Sequence, residues 1–315
     1  MKRQDFIMTI LTRNMHGLSP RRRRERLFAA ALLFPCFAFV ALFAFYPIVH
    51  SLYLSLHRII LGLPGLAQPF VYLENYRQLW GDSVARHALT NTILFVAVST
   101  TCELFLGLAM ALTINRSFRG RGLIRAAVLI PWAIPTVVAS QMWRFINNDH
   151  YGFLNYLLFG NDLASYQAWL ADPSFAMVAI MVADIWKTSA FAALIILAGL
   201  QTIPDELYEA ARLDGATAWQ QFARITLPLI KPALLIALLF RTMDAFRVFD
   251  LVFVMTQGGP ADATNVLQFY GYKKMFAEGL LGYGATVSVL VFLIVLGLSL
   301  VYVRFLGGEM REEKP

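Results

Sequence analysis

Six long apolar stretches alternate with polar segments along the chain, at residues 28–50, 89–113, 124–146, 174–200, 233–256 and 281–306. Each is long enough to cross about 30 Å of hydrocarbon as a helix rising about 1.5 Å per residue. The pattern predicts an all-α polytopic membrane protein with six transmembrane helices and both termini on one side. It divides the chain into a basic leader (1–27), a membrane domain (28–306) and a short tail (307–315). Pro131 and Pro135 in the third stretch remove backbone donors and predict a kink or break there. No A-x-A-like cleavage site directly follows the first stretch, which reads as an uncleaved span.

Between the fourth and fifth stretches, residues 201–232 are polar but locally structured. Pro204 followed by Asp205 and Glu206 marks a helix start, because carboxylates in the first turn complement the helix dipole. Gly215 is the expected stop. Thr217 and Gln220 then have capping-box spacing, predicting a second short helix that Pro228 ends. Two helices of about 10 residues, roughly 15 Å long, are not stable alone, so something must pack on them. Ala210, Ala211, Trp219 and Phe222 are available for that contact.

Composition agrees with the apolar pattern. Hydrophobic residues make up 58% and charged residues 15% of the 315, against roughly half and a quarter in soluble domains. A net charge of +7 does not signal nucleic acid here, because the basic residues cluster beside apolar spans, where they set orientation and meet anionic lipid. Eighteen Lys and Arg fall in the leader, the 114–125 segment, the 201–232 loop and the C-terminal end from Arg304 onward, against five on the other side. The excess predicts cytoplasmic termini. Cys36 and Cys102 lie within spans and offer no disulfide or metal framework. The five histidines are scattered, and neither a catalytic set nor a metal-ligand spacing is present. The phosphate-binding G-x-x-x-x-G-K-[ST] loop is also missing, so any ATP is hydrolysed by another chain.

Charged residues inside the spans carry the remaining chemistry, since ionisable groups in hydrocarbon pair or line a cavity. Asp184 and Lys187 flank Trp186 in the fourth span. In the fifth, Arg241, Asp244, Arg247 and Asp250 recur every three residues with alternating sign, as a ladder along one helix. Such a ladder can line a substrate path, with Trp186 or Phe246 as the aromatic face, or it can be a self-neutralising joint to a partner subunit. Exchanging Asp244 and Arg247 would keep a neutral pair and separate the two readings. Glu103 reads as a helix-to-helix hydrogen-bonding group, and Trp132, Trp143 and Tyr46 as packing or interfacial residues. An ion-coupled transporter or channel, using these charges as a relay, is the alternative from a different class.

Glu209-Ala210-Ala211, Asp214-Gly215-Ala216, Leu227-Pro228 and Lys231-Pro232 together resemble the EAA signature of binding-protein-dependent ABC importer permeases. The stretches 184–200 and 238–260 extend the likeness to the MalF-like sugar permease subunits, most nearly the trehalose-type SugA members. The resemblance implies the type I importer permease fold, with the 201–232 loop as the segment that couples to an ATPase. It also implies a second homologous permease subunit, two ATPase subunits using ATP and Mg, and an extracytoplasmic sugar-binding protein. No cofactor is implied for this chain itself. Two positions depart from the family's pattern: Tyr72 stands where many relatives have Gly, and Gln257 replaces a Gly of the T-G-G-G-P element.

Overall fold

The computed structural model describes residues 20–62 and 68–312. The leader up to residue 19, Pro64 and Lys314 lie outside the described residues. The chain separates into two units, residues 1–53 and 54–315. In the first, α1 (Pro20–Val40) runs through a π turn at Ala41–Phe45 into α2 (Tyr46–Ser55). The segment Phe28–Ser55 is continuous and apolar enough to span a membrane.

The second unit is helical throughout, and its described residues form isolated bridges, His57 to Phe70 and Ile60 to Leu280, rather than strands. After α3 (Glu74–Gly81), α4 (Ser83–Asn115) begins six residues before the expected start. Asp82 explains the difference, because its carboxylate accepts from the backbone N–H of Val84 at 2.8 Å and Ala85 at 3.2 Å and caps the helix there.

The third span is broken. Helices α5 (Arg121–Ala133) and α6 (Thr136–Ile146) meet at 90°. Ile134 is extended, with ψ 131°, because the ring of Pro135 excludes the helical conformation for the residue before it.

After α7 (Phe153–Phe159) comes α8 (Pro173–Leu200), capped by Asp172 with Pro173 in the first turn. It is the core helix, with 67% of its apolar window buried, against 33% for α4 and 22% for α15 (Leu281–Glu312). Small residues let the helices close on it. A Cβ at Gly107 of α4 would lie 2.9 Å from that of Ala192, and one at Gly199 would collide with Ala233. Elsewhere, Asn91 on α4 donates to the carbonyls of Ala263 and Asn265 at 3.1 and 3.0 Å, pinning the loop that leads into α14 (Leu267–Tyr272).

Two expectations are corrected. Pro228 does not end the second short helix: α10 (Ala218–Gln221) continues through a π turn at Phe222–Thr226 into α11 (Leu227–Leu229). The π turn closes with the N–H of Leu227 on the Phe222 carbonyl, one residue wider than an α turn, and Pro228, which has no N–H to place, follows directly. The bend comes at Ile230, 62° before α12 (Lys231–Ala245). Nor is the fifth stretch one helix. It stops at Ala245, and α13 (Asp250–Met255) starts anew after residues 246–249. The backbone at Phe249, φ −141° and ψ −57°, is incompatible with a continuous helix.

Candidate functional site

A cavity of about 480 Å³ opens beside the break between α12 and α13. Asp184, Lys187, Arg241, Asp244, Arg247 and Asp250 all line it. The break, not a helical ladder, gathers them: Arg241 and Asp244 close α12, Arg247 lies in the gap and Asp250 opens α13.

Arg241 is the hub. Its side chain is 3% exposed, in contact with three carboxylates from three helices. It donates to both oxygens of Glu103 on α4, at 2.5 and 3.0 Å, to Asp184 on α8 at 3.4 Å and to Asp244 at 2.6 Å. Thr188 adds a 2.8 Å bond to Glu103. The fork geometry of a guanidinium suits such bridging, and in a low-dielectric interior each partner is needed to offset the desolvation of the others. Glu103 is therefore the inner anchor of the cluster as well as a link between helices.

Asp244 is different: its side chain is 61% exposed towards the cavity, as is that of Arg247 at 60%, and the two approach to 4.0 Å. Because Asp244 also holds Arg241, exchanging it with Arg247 would place two guanidinium groups together. The exchange does not rebuild a neutral pair.

Lys187 donates to the carbonyl of Trp132 at 3.3 Å. That carbonyl lies in the last turn of α5, where the break at Pro135 leaves it without a helical N–H partner, and a cation there complements the helix dipole.

The two aromatic residues singled out from the sequence lie away from this cavity. Trp186 packs edge-on against Trp143, ring centroids 5.8 Å apart, and Phe246 is buried in an apolar cluster with Phe95 and Ile180. Neither lines the cavity. Trp132, Phe191, Phe240 and Phe249 do. Trp132 stacks on Phe191 at 5.8 Å and 22°, and Phe191 meets Phe240 edge-on at 6.3 Å. Trp132 lies three residues before Pro135, in the last turn of α5 beside the break.

The second candidate is the hairpin of α9 (Asp205–Leu213), α10 and α11. Glu209, Ala210 and Ala211 lie on α9, Asp214 caps its end, and Gly215 has φ 78°. The N–H of Gly215 reaches the Arg212 carbonyl at 3.1 Å and that of Ala216 the Ala211 carbonyl at 2.9 Å, closing the helix end. Thr217 and Gln220 form the expected reciprocal capping box. Glu209 pairs loosely with Arg212 at 4.0 Å. Tyr208 and Ile225 pack on the apolar cluster of Ile203 and Ile230, whereas Leu213 is 90% exposed and Trp219 72%, so these two lack a cover within the described chain.

Residues 103–306 match the family described as binding-protein-dependent transport system inner membrane component. The trehalose/maltose transport system permease protein MalF of Thermococcus litoralis is 39% identical over 295 residues, covering 94% of this chain and 98% of that protein. The trehalose transport system permease protein SugA of Mycobacterium tuberculosis is 39% identical over 294 residues, 93% of each. A chain of a bacterial alginate ABC transporter, crystallised with a periplasmic protein carrying an alginate pentasaccharide, superposes with TM-score 0.77 at 20% identity, covering 90% of this chain and 94% of that one. The fold is that of ABC importer permeases. The chain belongs to the binding-protein-dependent transport system inner membrane components, which are multi-pass permease subunits and not enzymes.

Proposed function

We propose that the chain forms half of the translocation path of an ATP-driven importer for an oligosaccharide of the trehalose or maltose type. The carrying observation is the cavity beside the α12/α13 break, with stacked Trp132 and Phe191 facing Asp244, Arg247 and Asp250. A sugar presents hydroxyl edges that need donors and acceptors together and C–H faces that pack on aromatic rings. The names of the relatives at 39% identity support the same substrate class.

In this reading a second homologous permease completes the path, and two ATPase subunits hold ATP and Mg. An extracytoplasmic binding protein delivers the sugar, and both termini are cytoplasmic. The exposed hairpin at Glu209–Ala216 takes the ATPase contact. Closure of the ATPases pushes the hairpin, and α12, joined to it at the Ile230 bend, carries the movement to Arg241. The path opens outward, and ATP hydrolysis resets it.

Uptake of labelled trehalose and maltose into vesicles holding the assembled transporter tests the site. Trp132→Ala and Phe240→Ala should each lower uptake at limiting sugar about tenfold, the equivalent of one lost apolar contact, with assembly intact. Unchanged uptake in both would remove this cavity from the path.

A further inference from the structure

A second cavity, of about 260 Å³, lies at the hairpin end of the helices, where α4 and α8 finish and α5 begins. Val128, Leu129, Leu194 and Leu197 make most of its wall, and Arg125 and Gln201 are its polar members. Arg125 is anomalous. Its Nε and Nη2 are enclosed and have no hydrogen-bond partner. Arg121, one turn earlier, is already occupied, donating to the Ile114 carbonyl at 2.7 Å. Enclosed guanidinium nitrogens without an acceptor beside an apolar wall are unfavourable, because buried donors call for acceptors. The chain supplies none nearby in sequence: between Glu103 and Asp149 there is no carboxylate, while Arg116, Arg119, Arg121, Arg125 and Arg144 all fall in that interval.

We propose that this cavity binds an anionic phospholipid, its phosphate against the part of Arg125 that lines the cavity, where it balances the buried charge, and an acyl chain along Leu194 and Leu197. Two features select a lipid over a soluble anion. The wall is apolar where a free phosphate would need further donors, and the site stands at the ends of helices long and apolar enough to span a membrane, where lipid headgroups are met. The position matters for transport because Ile114 and Leu197 belong both to this cavity and to the apolar cluster that holds Ile203, Ile230 and Ala237 beneath the hairpin. A lipid seated there packs against the base of the hairpin. This site is separate from the sugar cavity and does not rest on that reading.

Native mass spectrometry of the assembled transporter, after exchange into neutral detergent with phosphatidylglycerol added, tests the proposal. Retention should fall about tenfold in Arg125→Gln, as expected for loss of charge-assisted hydrogen bonds. Ala198→Phe fills the cavity from an exposed position and leaves Arg125 intact, so it should displace the lipid equally. Phosphatidylcholine and inorganic phosphate should both bind far more weakly than phosphatidylglycerol. Equal retention in the two variants and the unaltered protein would overturn the site. Equal protection by inorganic phosphate alone would overturn the lipid assignment. Loss of a neighbouring subunit in Arg125→Gln, with lipid retention unchanged, would overturn it in favour of a protein carboxylate.

Discussion

The cluster around Arg241 and the hairpin at Glu209–Ala216 are joined through α12, yet they meet their needs in opposite ways. Arg241 is 3% exposed and holds Glu103, Asp184 and Asp244 from three helices. Leu213 and Trp219 are 90% and 72% exposed. One region satisfies its polar groups internally, and the other leaves apolar groups exposed. The difference predicts how each fails. Changes in the cluster act on the fold, whereas changes in the hairpin leave the fold and act on assembly and coupling.

The largest effect is expected at Glu103. Glu103→Gln keeps the shape but removes the charge opposite a buried guanidinium, at a cost of about 3–5 kcal/mol. The protein should be recovered in low yield with a much lower thermal midpoint. The double change Glu103→Leu with Arg241→Met removes that pair but strands Asp184, which shares Arg241, so it should restore stability only in part, and adding Asp184→Leu should restore most of the rest, since buried ionic clusters are close to neutral against apolar replacements. A triple variant as unstable as Glu103→Gln would show that the charges contribute more than apolar packing can replace.

Hairpin changes should reverse this profile. At Gly215 an added Cβ meets nothing within 4 Å, so the chain itself has room, and the positive φ of 78° sets the intrinsic penalty at about 1 kcal/mol. Gly215→Trp should leave the subunit folded in the membrane and lower sugar-stimulated ATP hydrolysis at least tenfold. Leu213→Asp should change stability by less than about 0.5 kcal/mol while reducing copurification of the ATPase. Normal coupling in both would mean that the hairpin is a surface without a partner.

A half-buried relative of the cluster sharpens the comparison at smaller scale. Asp82 accepts from Tyr270 at 2.5 Å and Tyr283 at 2.9 Å as well as capping α4. Burial pushes its carboxyl upward, but the bonds from the two tyrosines and from Ala85 and Val84 outweigh this and hold it below the ordinary 3.8. A carboxylate lowered on folding stabilises the folded state at pH above its unfolded value. That contribution is lost as pH falls through the folded one. Asp82→Asn retains the cap and weakens the tyrosine bonds, costing about 1 kcal/mol at neutral pH. Thermal midpoints measured from pH 6 down to pH 3 should fall less steeply in the variant. Identical slopes would exclude Asp82 as a contributor to acid sensitivity.

The features legible in the sequence were those with a local cause. Pro135 announced the break of the third span because its ring acts on Ile134, and Thr217 with Gln220 announced a cap because both partners lie within four residues. The fifth span was misread for the opposite reason. Residues 246–249 carry no Pro or Gly, so the stop at Ala245 is imposed by tertiary packing of Phe246 and Leu251 in the core. The charged residues of the cavity were found because charge inside an apolar run is conspicuous. Its aromatic wall was not, because Trp132, Phe191 and Phe240 look like ordinary membrane residues until the helices cross. The triple role of Arg241 escaped likewise, as Glu103 is distant in sequence and only the approach of α4 to α12 unites them.

The smallest effect concerns the family glycine that Gln257 replaces. Gln257 has φ 52°, in the left-handed region, and is exposed. Next to it Gly258, at φ 81°, is crowded, since a Cβ there would lie 2.7 Å from the Phe269 ring. The two neighbours repeat the contrast between open and enclosed sites within one turn. A non-glycine residue in the left-handed region is strained by about 1 kcal/mol, while glycine gives back roughly 0.5 kcal/mol through its freer unfolded chain. Gln257→Gly should therefore stabilise by about 0.5 kcal/mol, a rise of about 1–2 °C in thermal midpoint, with transport unchanged. Gly258→Ala should destabilise by more than that gain, because the strain at φ 81° is joined by the clash with Phe269. A lower midpoint in Gln257→Gly would mean that the Gln side chain makes a contribution larger than the backbone strain it imposes.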